Sequence, residues 1–248
     1  MTKAIKEKKD VYIQDQTTEP IDLYLFRNDG SFELESAVSI DDTQFTAVAG
    51  HAISIGDIVC FQEKTHFMQA IVLNVATNLI TIDTPFDYPF TTNGCCSHGT
   101  NNLAVNGSLT PQIFSVSPKN LQSNVEWDIT RMAIQMLDSS DMDDAMFGGM
   151  TALINGIVLR HVNGVTKNIF NIKTNGEFSL RNFSAEYSSK APAGQYGFRS
   201  WRSFAGQENN GVTIRLSAKD EDELQLIVND DLTDLDNFYA IIQGHVVD

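Results

Sequence analysis

LINGIVLRHV (153–162), Asn163–Gly164, VTKNIFNIKT (165–174), Asn175–Gly176 and EFSLRNFSAEY (177–187) run on from one another without a break. Apolar and β-branched residues fill the long segments, and Asn-Gly is the dipeptide that most readily takes the two left-handed backbone positions of a tight hairpin turn. Two such turns between strand-forming segments predict a meander of antiparallel strands. The pattern continues downstream: RSWRSFAG (199–206), NGVTIRLSA (210–218), ELQLIVND (223–230) and NFYAIIQGHVV (237–247) predict four further strands around the Gly/Pro/Ser loop SSKAPAGQYG (188–197) and the acidic turns.

Upstream the reading is the same. IDLYLF (21–26) is a short strand closed by Asn28–Asp29–Gly30, and VYIQ (11–14) has strand-forming types. AISIGDIVCF (52–61) and MQAIVLNV (68–75) flank the polar stretch 62–66 as the arms of a hairpin would, and Asn78 turns into NLITID. Segment 103–118 carries Asn106–Gly107, which reads as another tight turn. In VEWDITRMAIQML (125–137), Val125, Trp127, Ile129, Ala133 and Leu137 share odd parity while Met132, Ile134 and Met136 are even, which reads as a two-sided strand rather than a helical stripe. Residues 139–150 suit a short capped helix or an ordered loop that Gly148–Gly149 would stop. The expected fold is therefore all-β: a β-sandwich or jelly-roll-like main domain with a small β-barrel inserted near the N-terminus. Residues 1–29 supply an arm and the first strands of the main sheet, 30–100 the barrel, and 101–248 the sandwich.

The 248 residues carry 17 Lys plus Arg against 32 Asp plus Glu, a formal charge of −15. That balance argues against a DNA-coating role, since affinity for phosphate comes mainly from Lys and Arg. No apolar segment reaches the ~18 residues a membrane helix needs, and the lysine-rich start has no apolar stretch of a secretory signal behind it, so neither membrane nor export is expected. The charge is also uneven: Lys3, Lys6, Lys8 and Lys9 open the chain, whereas 220–248 holds nine carboxylates and no Lys or Arg. A basic arm, with Tyr12 in its strand-forming part, docking on an acidic neighbour stands beside the plainer reading of two solvated charge runs.

Catalytic signatures are missing from the sequence. There is no GxSxG, no phosphate-cradling GK[ST] and no dinucleotide fingerprint, so an enzyme is not expected, nor a cofactor. Three cysteines, two of them adjacent, make a poor disulfide framework; a metal site from Cys60, Cys95, Cys96 and His98 is set against free thiols. DSSDMDD (Asp138, Asp141, Asp143, Asp144) and NDDLTDLDN (Asn229, Asp230, Asp231, Asp234, Asp236) bring hard oxygen ligands together as candidate Ca²⁺ sites, set against solvated turns. Tyr187, Tyr196, Phe198, Trp201 and Phe204, with Arg199 and Arg202, form an aromatic segment that reads equally as partner surface or as partial core.

In the order DVYIQDQTT (10–18), SIGDIVCF (54–61), NLITIDTPFDYPF (78–90), NLAVNGSLTPQIFS (102–115), 158–178 and 211–247, the chain resembles structural proteins of tailed bacteriophages encoded among head–tail and tail genes. The resemblance spans most of the chain and rests on structural motifs. It implies a virion component assembled in the host bacterial cytoplasm: a ring-forming head–tail connector or tail protein, homo-oligomeric and contacting other virion proteins. The alternative is a tail-tip or fibre-type module that recognises a host-surface glycan or receptor through residues 187–204.

Overall fold

The computed structural model describes residues 20–142, 149–150, 153–174, 177, 184–188, 196–204 and 213–247. Strands take up 53% of the chain, and every element formed by the described residues is a strand, so the fold is all-β. The arm, with Lys3, Lys6, Lys8, Lys9 and Tyr12, lies outside the described residues, as do Asp143, Asp144 and the Asn175–Gly176 turn.

Two sheets build the sandwich. The first has the order β1 (Pro20–Tyr24), β16 (Asn237–Val247), β9 (Glu126–Asp138), β13 (Tyr196–Ser203) and β12 (Ser184–Ser188), with β14 (Ile214–Ser217) also pairing with β9. The second runs β11 (Val165–Ile172), β10 (Ile157–Asn163), β15 (Glu223–Val228) and β8 (Gln112–Val116). Inward residues of both sheets, among them Trp127, Met132, Phe198, Phe238, Phe114, Leu159 and Leu226, share one apolar core. Removing these groups from water is the main force closing the two sheets.

A hairpin forms at Asn163–Gly164, but tighter than a two-residue turn: Asn163 itself pairs with Val165, and of the two only Gly164, at φ 54°, takes a left-handed position. The meander stops there. Strand β10 takes β15 as its other neighbour, and β12 joins the opposite sheet beside β13. The reading of 125–137 as two-sided also needs correction. Thr130 is an extra residue in β9, because Arg131 pairs with Gln243 and Ile129 with Gly244. This bulge switches parity, so Trp127 and Ile129 before it and Met132, Ile134 and Met136 after it all face the same core. A Cβ on Gly244 would lie 2.2 Å from the Asp128 carbonyl oxygen, which is why the residue opposite the bulge has no side chain. Asn106–Gly107 likewise makes no hairpin. The segment lies against the β15–β16 connection, with Asn106 bridged to Asp231, and a Cβ on Gly107 would meet the Val228 oxygen at 2.0 Å.

The remaining strands form a sheet of their own in the order β2 (Gly30–Phe32), β7 (Cys95–Gly99), β4 (Ile58–Glu63), β5 (His66–Ala76), β6 (Leu79–Ile82) and β3 (Gln44–Thr46). Its two ends meet. Leu34 bridges Ala47, the Glu35 N–H donates to the Thr46 oxygen at 2.9 Å, and the Val48 N–H donates to the Glu33 oxygen at 2.8 Å. Curling into a small barrel in this way removes free edges and encloses a core rich in phenylalanine. Phe61 is the hub of that core, with ring centroids 5.0 Å from Phe86, 5.2 Å from Phe45, 5.6 Å from Phe90 and 5.7 Å from Phe32.

The barrel is an insertion whose entry and exit lie side by side. The Arg27 N–H donates to the Thr100 oxygen and the Asp29 N–H to the His98 oxygen. Phe26, Ile58 and Cys60 pack the junction, and Phe67 stands against Trp127 with centroids 4.8 Å apart. Gln69 uses its side-chain amide as a substitute strand, accepting from the Tyr24 N–H at 2.7 Å and donating to the Tyr24 oxygen at 3.2 Å.

Candidate binding surfaces

Alternation along β13 divides the aromatic segment. Phe198 is fully buried among the sandwich core residues, so it is no interface residue; facing Met136 across the ladder, it points inward. Trp201, three residues on, takes the outer face and is half-buried. Tyr196 is half-buried at the strand's start, where a hydrogen bond to Asp141 pushes its phenol up from the usual value. Arg202 returns to the inner side, its guanidinium 5.7 Å from the Phe204 ring centroid.

The outer face of the first sheet carries a groove of about 330 Å³, lined by Arg131, Ala133, Gln135, Arg199, Trp201 and Tyr239 among others. Its floor follows from the register: Ile241, Ala133 and Trp201 lie in one row, and Tyr239, Gln135 and Arg199 in the next. Ala133 is the small residue between two large ones, and that size difference makes the depression. The Arg131 guanidinium stands 5.7 Å from the Trp201 ring centroid, within range of a cation–π attraction. Burial pushes the Tyr239 phenol up.

A larger cleft of about 690 Å³ opens between β10–β11 and β13–β14. Arg215 spans its wall, bonded to Asp128 at 2.8 and 2.9 Å and to Glu126 at 3.0 Å. The Arg215 hydrogen bond holds the Asp128 carboxyl below its usual value. A carboxyl depressed in the folded state stabilises the fold above its unfolded value and loses that contribution as pH falls through the folded value. Arg215→Met should therefore lower stability at pH 7 by about 1 kcal/mol, given its exposure, and the gap from wild type should close by about pH 2. Urea melts at the two pH values measure it. Deeper in the wall, His161 Nε2 and Asp222 Oδ1 are buried without a hydrogen-bond partner, while Asp222 Oδ2 accepts from the Ser217 N–H and the Asn163 amide.

The metal candidates fall into other roles. The Asp230 carboxylate accepts from the backbone N–H groups of Ile154, Asn155 and Gly156, and Asp231 accepts from Asn106 and Thr233. Asp138 is buried and ties the Ser139 and Gly149 amides, whereas Asp141 and Asp234 are exposed. The Cys/His set is split by strand alternation. Cys96 points into the barrel core, Cys60 faces the sandwich junction, Cys95 is exposed, and the buried His98 pairs with Asp57 at 3.1 Å. Among the described residues no group of three or more His, Cys, Asp or Glu is gathered as metal ligands. Among the described residues no hydroxyl or thiol is hydrogen-bonded to the imidazole of the Asp57–His98 or the Asp128–His245 contact. Burial pushes the Cys60 and Cys96 thiols up to about 12. A thiol reagent at pH 8 should therefore modify only Cys95 in the native protein and all three cysteines in urea, as mass spectrometry would show.

Comparison with protein-family models, curated proteins and solved structures finds no match to this chain. No helix of the described residues is long and apolar enough to cross a membrane. Sequence reading found Trp201 but missed its partners in the groove. Arg131 and Tyr239 come from distant strands, and only the pairing across β9 brings them beside it.

Proposed function

We propose that this chain is a virion structural protein of a tailed bacteriophage, a ring-forming head–tail connector or tail component that acts by protein–protein assembly. The observation that carries the reading is the outer edge of β11, which has no partner strand among the described residues and exposes Val165, Thr166, Lys167 and Asn168 in sequence. An open edge offers backbone donors and acceptors to an incoming strand of another subunit. Residues 1–18 contain the strand-forming VYIQ and four lysines, and they have too few large apolar groups for a core of their own. The arm then reaches a neighbour's edge, with its lysines near that neighbour's carboxylates, which set register and on-rate more than affinity. A net charge of −15 suits a lumen wall that lets DNA pass without holding it.

Mass photometry and negative-stain micrographs of the purified protein test this. Full-length protein should form closed rings, and a chain lacking residues 1–18 should stay monomeric with an unchanged melting temperature. A full-length monomer at micromolar concentration would refute the assembly reading, and rings from the truncated chain would remove the arm from it. A second reading, a glycan-recognising module, draws on the outer-face groove at Trp201.

A further inference from the structure

We infer that the outer-face groove binds an acidic saccharide, with Arg131 and Arg199 taking its carboxylate and Trp201 lying along the apolar face of a sugar ring. The inference deepens the second reading above by naming the ligand class, and it rests on that reading.

The charge of the groove is the first ground. The chain has 17 cationic residues against 32 carboxylates, yet among the described side chains both charged residues lining this groove are arginines, with Glu186 opposite Arg199 in the β12–β13 ladder. Among the residues with described side chains neither Arg131 nor Arg199 has a salt-bridge partner, whereas Arg27 and Arg215 both do. A guanidinium offers paired donors that match a carboxylate, and two of them facing one slot favour an anion locally. The wider field of the chain opposes anions, so binding depends on these two side chains in particular.

The shape of the groove is the second ground. About 330 Å³ is at the lower end of small-ligand sites and fits one or two sugar rings rather than a protein surface. Trp201 and Ile241 flank the small Ala133, and Tyr239 stands in the next row beside Gln135, so aromatic and apolar groups line the slot beside polar ones. A pyranose has that pattern: a face of C–H groups and an edge of hydroxyls, to which the Gln135 amide can both donate and accept. A free phosphate would have no use for the aromatic walls. The larger cleft makes no comparable selection, because Arg215 is already held by Asp128 and Glu126 and its lining mixes both signs.

The fluorescence of the protein makes the test direct. Of its two tryptophans, Trp127 is 1% exposed in the core, so a ligand-induced change reports Trp201. Full-length protein is titrated with a short oligogalacturonate, with a neutral oligosaccharide of equal length and with poly-glutamate, and calorimetry repeats the measurement without reliance on Trp201. The expected result is a saturable change with oligogalacturonate, weakened by added salt and weakened about tenfold by either Arg131→Gln or Arg199→Gln. Equal binding of the neutral sugar would overturn the acidic preference and leave glycan recognition standing. Binding of neither sugar would overturn both. Poly-glutamate binding as tightly as oligogalacturonate would overturn the saccharide assignment in favour of an acidic protein surface.

Discussion

Phe61→Ala is expected to unfold the barrel while the sandwich stays folded. The ring touches four other phenylalanines and is fully buried, so its loss leaves a cavity that the enclosing strands cannot collapse around. Truncating a phenylalanine in such a site costs about 3–5 kcal/mol, a large share of the stability of a unit this small. Both tryptophans lie in the sandwich sheet, on β9 and β13, so their emission follows mainly the sandwich. In a urea titration the variant should show an early loss of far-UV circular dichroism with little change in fluorescence, followed by a later transition seen by both. The contact between Phe67 and Trp127, the one aromatic contact across the junction among the described residues, should shift the emission only slightly in the first step. Coincident transitions by both probes would show that the two cores unfold as one.

Asp230 is the second position where a single substitution should have a large effect. Its carboxylate sits 8% exposed after β15 and takes three successive backbone N–H groups, at 154, 155 and 156, just ahead of β10. Among the described residues those donors have no other acceptor, and Gly156 sits at φ 88° within the same turn. Asp230→Ala would leave them unsatisfied, at a cost of at least about 3 kcal/mol. Asp230→Asn keeps the volume but replaces one acceptor oxygen with a donor, so it should recover only part of that loss. Urea midpoints for the two variants measure this. A cost below about 1 kcal/mol for the alanine would mean that water serves these amides as well as the carboxylate does.

The strand-rich character of this chain was legible in its sequence because local chemistry decides it. β-Branched and aromatic residues between turn formers leave few alternatives, and Asn163–Gly164 marks the place where the chain reverses between β10 and β11. The phenylalanine-rich stretch from 30 to 99 likewise marks residues that must be buried somewhere. Which strand lies beside which could not be read in this way. Strand β10 pairs with β15, more than sixty residues away, because their apolar faces complete one core and not because of any local signal. Parity along β9 misled for a related reason. The Thr130 bulge is stabilised by its partner β16 and by the missing side chain of Gly244, neither of which is near it in sequence.

The same division holds for the candidate sites. Acidic stretches look alike as sequences, but the fold turned Asp230 into an anchor for backbone amides and left Asp234 in solvent. The adjacent cysteines could not converge with Cys60 and His98, since neighbouring residues on a strand face opposite sides of a sheet. Trp201 and its arginines became a groove only when three strands aligned Arg131, Arg199 and Tyr239 around Ala133. Sequence by itself determined the strands, the turn at Gly164, the net charge and the residues that must leave water. Tertiary structure decided the register, the bulge, the closure of the barrel and the makeup of each surface, because those depend on contacts between residues far apart in the chain, whose energies no local stretch contains.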